Sequence, residues 1–130
     1  MWETDWPITI YPIGIVENEF NDPFDWDKVR EDESLITLDP SLVPGLQGML
    51  PGQQVMVLFH FNRINEFDLL QHPRGDPDRP KRGVFTLRSP RRPNPIGVTI
   101  VEIVAIEENV LRVRGLDAFN GTPVIDLKPA

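Results

Sequence analysis

The sequence contains no cysteine, two histidines and one tyrosine. The absence of cysteine excludes disulfides, thiolate nucleophiles and cysteine-bound zinc, and it agrees with a reducing cytoplasmic compartment. His60 and His72 are too few for a histidine-built metal site, so we expect no metal. The sequence also shows no signal segment and no apolar run long enough for a membrane-spanning helix. We therefore expect a cytoplasmic protein that has no contact with membranes.

Several common catalytic motifs are missing as well. No G-x-G-x-x-G follows a strand pattern, and neither G-x-x-x-x-G-K-[ST] nor G-x-S-x-G occurs. Any catalysis would then depend on the positioning of reactants rather than on a metal or a covalent nucleophile.

Charge is distributed unevenly along the chain, whose net charge is −7. Residues 1–40 contain eleven acidic and two basic side chains, whereas residues 74–92 contain seven basic and two acidic ones. A basic segment in an acidic protein is a candidate site for a phosphate or carboxylate ligand. Its arginines could equally pair with the acidic half of the chain, and charge alone leaves both interpretations open.

Residue patterns predict an all-β fold in one domain spanning residues 1–130. The chain is long enough to bury a core, and its 14 prolines and nine glycines indicate many turns. Short helical turns are expected over residues 25–34 and 63–71. The predicted strands are residues 8–18, 53–62 (buried on both faces), 83–87, a hairpin from Ile96 to Asp117 that turns at Glu108 and Asn109, and 122–127. We expect a small single-domain β-barrel with long Pro/Gly-rich loops and at most short helices.

The segment "RSPRRPNPIG", residues 88–97, combines three arginines with three prolines, and we call it the proline-rich segment. Each proline fixes its own φ angle and favours an extended conformation in the residue before it. We expect Arg88 to end one strand and Ile96 to begin the next, so that both ends are anchored in the sheet. Such a segment could hold a ligand at little entropic cost, or it could simply cross the end of a barrel.

The stretch "GVFTLRSPRRPNPIGVTIVEI", followed by "GLDAFNGTPVIDLKP", resembles the TsaA-like, or TrmO, family. The pattern of that family runs G-V-F-x-x-R-S-P-x-R-P-N-P-I-G and later L-D-x-x-D-G-T-P-x-x-D-I-K-P. The resemblance extends to "PIG" at residues 12–14 and to "LFHFN" at residues 58–62. It implies a homodimeric β-barrel that binds S-adenosylmethionine outside the Rossmann framework. It also implies methylation of the exocyclic nitrogen of a threonylcarbamoyl-modified adenosine beside the tRNA anticodon.

The resemblance also assigns site residues. Asp117 and His60 are the candidate bases for the proton of the acceptor nitrogen. The basic segment 74–92 would contact tRNA phosphates through Arg79, Lys81, Arg82, Arg91 and Arg92. The implied S-adenosylmethionine contacts are His60, Phe61, Asn62, Arg88, Ser89, Pro90, Asn94, Pro95, Ile96, Gly97, Val98, Asn120, Gly121, Thr122 and Pro123.

Structural interpretations stand beside these assignments. His60 could be a half-buried strand histidine, and Asp117 and Asn120 could stabilise a turn before Gly121. Asp126 and Lys128 are expected to form a structural pair. The tryptophans, Trp2, Trp6 and Trp26, are expected to serve in packing or in a dimer interface.

The chain departs from the family pattern in two segments near the expected site. "ENEFNDPFDW", residues 17–26, replaces a segment that ends in P-R-Q, and "NGTP" replaces D-G-T-P. Together with the net negative charge, these departures leave three hypotheses. The protein methylates tRNA, it methylates a small molecule on the same fold, or it is a non-catalytic barrel that binds S-adenosylmethionine.

Overall fold

The computed structural model describes residues 7–23 and 26–130, and within them strands predominate. Three short 3-10 helices, Pro40–Leu46, Pro73–Gly75 and Val84–Thr86, lie between the strands. The other elements in chain order are β1 (Gly14–Glu17), α1 (Trp26–Val29), β2 (Glu33–Leu38), β3 (Gln54–His60), β4 (Leu70–Gln71), β5 (Arg82–Gly83), β6 (Ile96–Glu107), β7 (Val110–Arg114) and β8 (Pro123–Pro129). No helix in these ranges is both long and apolar enough to cross a bilayer.

Six strands close into a barrel in the order β1-β2-β7-β6-β3-β8, and every pair is antiparallel. The two-residue strands β4 and β5 pair with each other outside the barrel. Side chains alternate between the core and the outside, as the twofold period of a strand requires. In β3, for example, Val55, Val57 and Phe59 are buried, whereas His60 is exposed. The all-β barrel expected from the sequence is therefore confirmed.

The predicted hairpin is also confirmed, because β6 and β7 are joined by a turn at Glu108 and Asn109. Glu108 has a φ of 55°, a left-handed conformation that suits a tight connection. The helical turn expected near residue 25 corresponds to α1, Trp26–Val29.

Other expectations were wrong. Residues 63–71 form no helix, because Leu69 and Leu70 are exposed and offer no apolar face to the core, and Leu70 instead pairs with Gly83. Strand β2 was missed, although it buries every second residue from Ser34 to Leu38. The acidic residues before β2 obscured that alternation.

Three further expectations for individual elements are corrected. Strand β3 buries one face only, because the other face lies on the outside of the barrel, where it is half-buried or exposed. Residues 83–87 are mainly a 3-10 turn, in which Val84 is buried and Phe85 exposed. Arg88 consequently lies in the loop after that turn rather than at the end of a strand.

Strand β6 is much longer than its neighbour β7. Residues 102–107 of β6 pair with β7 through an irregular register, whereas residues 96–101 pair with β3 alone among the described strands. Phe61 N donates to Pro95 O at 2.8 Å, and antiparallel alternation then directs the N–H and C=O groups of Val98 and Ile100 away from β3. The first half of β6 therefore presents a backbone edge that no described strand covers.

Candidate functional site

A cleft with two lobes lies beside the open edge of β6. The larger lobe has a volume of about 460 Å³ and the smaller about 270 Å³. Phe59, Phe61, Arg88 and Asp117 line both lobes, so these four residues form the junction between them. Cavities of this size suit a small-molecule ligand.

Arg88 and Asp117 at this junction have no hydrogen bond or ion pair with any described residue, and they do not pair with each other. Leu116 and Ala118 are buried on either side of Asp117, so the extended backbone displays its carboxylate in the cleft. An unpaired guanidinium and an unpaired carboxylate on one cleft wall can bind a ligand that carries both signs of charge.

The walls of the cleft alter the acidity of Asp117. Its side chain is still reached by solvent, yet the surrounding atoms remove part of its hydration, and this partial burial raises its pKa above the ordinary value of 3.8. Desolvation disfavours the charged form of a carboxylic acid. Asp117 is thus a stronger proton acceptor than an ordinary surface aspartate.

Gly97 makes room for the aromatic wall of the cleft. The Phe59 and Phe61 rings meet edge to face, with centroids 5.1 Å apart. A Cβ atom on Gly97 would lie 2.6 Å from the Phe61 ring and 2.7 Å from the Phe59 ring. The glycine of the P-N-P-I-G motif is therefore required by the packing of two rings.

We expect Gly97→Ala to destabilise the protein and to deform the cleft, because a buried ring must move to accept the methyl group. Overpacking of this kind typically costs about 1–3 kcal/mol. Urea denaturation of the variant would measure the loss. Gly83→Ala is the matched control, because a Cβ on Gly83 meets no atom within 4 Å. Equal stability of Gly97→Ala and the wild type would contradict the packing role.

Arg92 belongs to the proline-rich segment, and its side chain holds the backbone where that segment begins. Its Nη1 donates to the carbonyl oxygens of Leu87 and Ser89, at 2.8 and 3.1 Å, which flank Arg88 in the sequence. Its own backbone N donates to Pro90 O at 2.9 Å. The predicted anchoring of the segment is confirmed at its end, where Pro95 O accepts from Phe61 N directly after β3 and strand β6 begins at Ile96. At its start, Arg92 holds the backbone on both sides of Arg88.

We expect Arg92→Met to loosen residues 87–92, because the carbonyl oxygens of Leu87 and Ser89 then lose the donor that Nη1 supplies. The loss should be about 1–3 kcal/mol, the worth of two ordinary hydrogen bonds. Amide hydrogen exchange should rise in residues 87–92 and stay unchanged in β3. Arg91→Met, which removes a guanidinium that meets only carboxylates, is the control, and equal exchange in the two variants would contradict the role of Arg92.

The arginines predicted to contact phosphate have different surroundings. Arg91 lies 3.2 Å from Asp68 and 3.7 Å from Glu66, so its charge is already partly compensated. Arg79, Lys81 and Arg82 are exposed and make no ion pair with any described residue. The cations free to meet phosphate thus lie before the proline-rich segment.

The "NGTP" turn is tied to the N-terminal segment. Asn120 Oδ1 accepts from Asn18 N at 3.1 Å, and Asn120 Nδ2 donates to Asn21 Oδ1 at 3.1 Å. The Asn120 amide thus joins two segments instead of bracing its own turn, as one interpretation proposed. Asp126 and Lys128 do form the expected structural pair at 2.8 Å, and this hydrogen bond lowers the pKa of Asp126.

The structure brings part of the predicted set together. The predicted residues that line a lobe are Phe61, Asn62, Arg88, Pro90, Arg92, Ile96, Gly97, Val98, Asp117 and Thr122. Those that line neither lobe are His60, Ser89, Asn94, Pro95, Asn120, Gly121, Pro123, Arg79, Lys81, Arg82 and Arg91. His60 is outside because the alternation of β3 places it on the outer face, away from Phe59 and Phe61.

Sequence reasoning missed several residues that line the cleft. Trp26, expected in packing or a dimer interface, lines the larger lobe, whereas Trp2 and Trp6 lie outside the described residues. Pro23 lines the smaller lobe, so the segment that departs from the family pattern borders both lobes. Phe119 also lines the smaller lobe, under the Arg63 guanidinium, whose carbon is 4.1 Å from the ring centroid. No motif signalled these positions.

Within the described part of the chain, no cluster of three histidine, aspartate or glutamate side chains is arranged to hold a metal ion.

Comparison with known proteins gives consistent matches. The family model described as "tRNA-methyltransferase O N-terminal domain" matches residues 15–130. A probable S-adenosyl-L-methionine-binding protein of Methanothermobacter thermautotrophicus is 39% identical, over 97% of this chain and 92% of its own length. An S-adenosyl-L-methionine-binding protein of Archaeoglobus fulgidus is also 39% identical, over 90% of this chain and 85% of its own length.

A solved structure has the same fold. The crystal structure of TrmO from Pseudomonas aeruginosa superposes with a TM-score of 0.74 at 27% identity, over 96% of this chain. The match covers 56% of the solved chain, so the present chain spans little more than half of that protein.

Proposed function

Because the chain belongs to the tRNA-methyltransferase O N-terminal domain family, we propose that it is an S-adenosylmethionine-dependent methyltransferase. We further propose that its acceptor is the exocyclic nitrogen of a threonylcarbamoyl-modified adenosine in tRNA. The observation that carries the proposal is the junction of the two lobes, where unpaired Arg88 and unpaired Asp117 face the same cleft.

The chemistry of the cleft fits S-adenosylmethionine. Arg88 would hold the amino-acid carboxylate, for which a guanidinium is the best complement. The aromatic faces of Phe59 and Phe61 suit both a sulfonium and an adenine ring. The open edge of β6 adds backbone donors and acceptors at Val98, which could bond to the edge of the base. When bound, S-adenosylmethionine supplies an electrophilic methyl group.

Asp117 would accept the proton that the acceptor nitrogen loses. It lines both lobes, so it can reach an acceptor that enters either one. Its raised pKa makes it a better base than an ordinary aspartate. The second candidate base, His60, is on the outer face of β3, and we propose no role for it in proton transfer.

The rigid frame around the cleft supports alignment of donor and acceptor. Arg92 holds the backbone on both sides of Arg88, and Gly97 allows the two phenylalanine rings to pack against β6. Methyl transfer needs in-line positioning more than a strong catalytic group, and a stiff site supplies such positioning.

The tRNA phosphates would be met by Arg79, Lys81 and Arg82, which no described acid neutralises. Arg91 would contribute less, since Asp68 and Glu66 already face it. The homodimer that the family resemblance implies and the cytoplasmic location stay predictions.

Transfer of a labelled methyl group from S-adenosylmethionine to bulk tRNA, nucleosides and metabolite extracts tests the proposal. Label in tRNA that carries the threonylcarbamoyl group, absent from tRNA without that group and retained on the adenosine after the group is removed, would support it. Label only in small molecules would indicate a small-molecule acceptor. Saturable cofactor binding by titration calorimetry, with no labelled product from any extract, would indicate a non-catalytic barrel.

A further inference from the structure

Phe85 is the most exposed phenylalanine among the described residues, with 78% of its surface accessible. The turn that exposes the Phe85 ring is held by hydrogen bonds on both sides. The preceding Val84 is 1% exposed, and its N donates to Leu69 O at 2.8 Å. Thr86 Oγ1 donates to Gly83 O at 2.7 Å. The ring is therefore held out into solvent by a backbone that is anchored on both sides.

Basic residues that make no described ion pair flank Phe85 in the sequence. Lys81 and Arg82 precede it and Arg88 follows it, and none of them makes an ion pair with a described residue. Arg82 Nη2 lies 3.4 Å from Thr86 O, which places the guanidinium across the turn that carries Phe85. An exposed aromatic ring among unpaired cations is the arrangement by which proteins hold single-stranded nucleic acid, through base stacking and phosphate contacts.

The position of Phe85 relates this surface to the cleft. Arg88 lines both lobes and is three residues away, a distance of at most roughly 10 Å along the chain. Bases in a duplex are already stacked on both sides, whereas bases in a loop are available to a protein ring. A single strand that crosses Phe85 could therefore place a nearby nucleotide in the cleft.

We propose that Phe85 stacks on a base of a single-stranded RNA loop, while Lys81 and Arg82 contact the adjoining phosphates. This inference rests on the proposed tRNA acceptor. It adds a base-stacking surface outside the cofactor cleft.

The test uses the full chain and two fluorescent RNAs, a short hairpin with a single-stranded loop and a blunt duplex of the same stem. Phe85→Ala should weaken hairpin binding about 5- to 150-fold, the loss expected for one stacked base. Phe85→Tyr should restore it to within about twofold, because a phenol ring also stacks. Leu70→Ala is the control, since Leu70 is apolar, 62% exposed and unable to stack. Affinity for S-adenosylmethionine, by calorimetry, should be equal in all four proteins.

The outcomes separate this inference from the proposed function. Hairpin binding by the wild type that Phe85→Ala leaves unchanged would overturn the role of Phe85 and leave the proposed acceptor standing. Equal weakening on the hairpin and the duplex would also overturn it. A lower sedimentation coefficient for Phe85→Ala would assign the ring to an interface with a second copy. Absence of hairpin binding by the wild type would overturn this inference, whereas the methyl-transfer assay with bulk tRNA decides the proposed acceptor.

Discussion

An Asp117→Asn variant is expected to transfer methyl groups at least about 100-fold more slowly than the wild type, the usual worth of a positioned general base. Asparagine keeps the shape of the side chain but cannot accept the proton of the acceptor nitrogen. Affinity for S-adenosylmethionine should change by less than about fivefold, roughly the worth of one neutral hydrogen bond. Rates at saturating cofactor, together with calorimetric affinities, separate the two effects. A loss of affinity equal to the loss of rate would assign Asp117 to cofactor binding.

The same carboxylate predicts the acid limb of the pH–rate profile. A base acts only when it is deprotonated, so activity should be present above the pKa of Asp117 and fall as the pH drops through it. Partial burial raises that pKa above 3.8, so the loss should begin at a higher pH than for an ordinary aspartate. The residual activity of Asp117→Asn should lack this limb. A profile with the same acid limb in both proteins would place the titrating group elsewhere.

The thermal stability of Asp117→Asn shows whether a loss of activity reflects misfolding. A carboxylic acid whose pKa is higher in the folded than in the unfolded state costs stability at pH values above both, and this cost disappears below the unfolded value. Asp117→Asn should therefore unfold at a slightly higher temperature than the wild type at neutral pH, and at the same temperature in acid. A variant that is inactive and also less stable would not report on proton transfer.

Arg88→Ala is expected to weaken binding of S-adenosylmethionine by about 10- to 150-fold. The guanidinium is the cation that lines both lobes without a partner, and a hydrogen bond between charged groups is worth about 1.5–3 kcal/mol. Arg82→Ala is the matched control, because Arg82 is another exposed arginine nearby but lies outside both lobes. Calorimetry on the two variants measures the difference. Equal affinities in a folded Arg88→Ala variant would contradict the assignment of the carboxylate subsite.

The sequence predicted the barrel because its strands are marked by apolar runs, by twofold alternation or by flanking turn residues. Strand β7 showed the alternation, whereas β3, β6 and β8 were found as apolar runs, and the turn after Glu107 was marked by polar residues. Strand β2 was missed because a dense acidic stretch precedes it and resembles a helix start. Two-residue strands such as β4 carry no periodic signal, so no pattern could have found them.

Only those residues of the cleft that belong to a family motif could be predicted from the sequence. Arg88, Gly97 and Thr122 came from family patterns and do line the cleft. His60 came from the same patterns, but strand alternation, which is readable from the sequence, already placed it on the face opposite Phe59. Pro23 and Trp26 required the tertiary fold, since hydrogen bonds from Asn120 bring their segment to the cleft.

The half of β6 that pairs only with β3 among the described strands, residues 96–101, bears on the behaviour of the protein in solution. Strand edges with free N–H and C=O groups are the templates on which chains aggregate, and proteins usually blunt them with charge or cover them. Here residues 96–101 lack a described neighbour on one side, and apolar residues occupy that stretch. A ligand in the larger lobe would shield this edge. We therefore expect the protein to aggregate less readily when a ligand occupies the cleft.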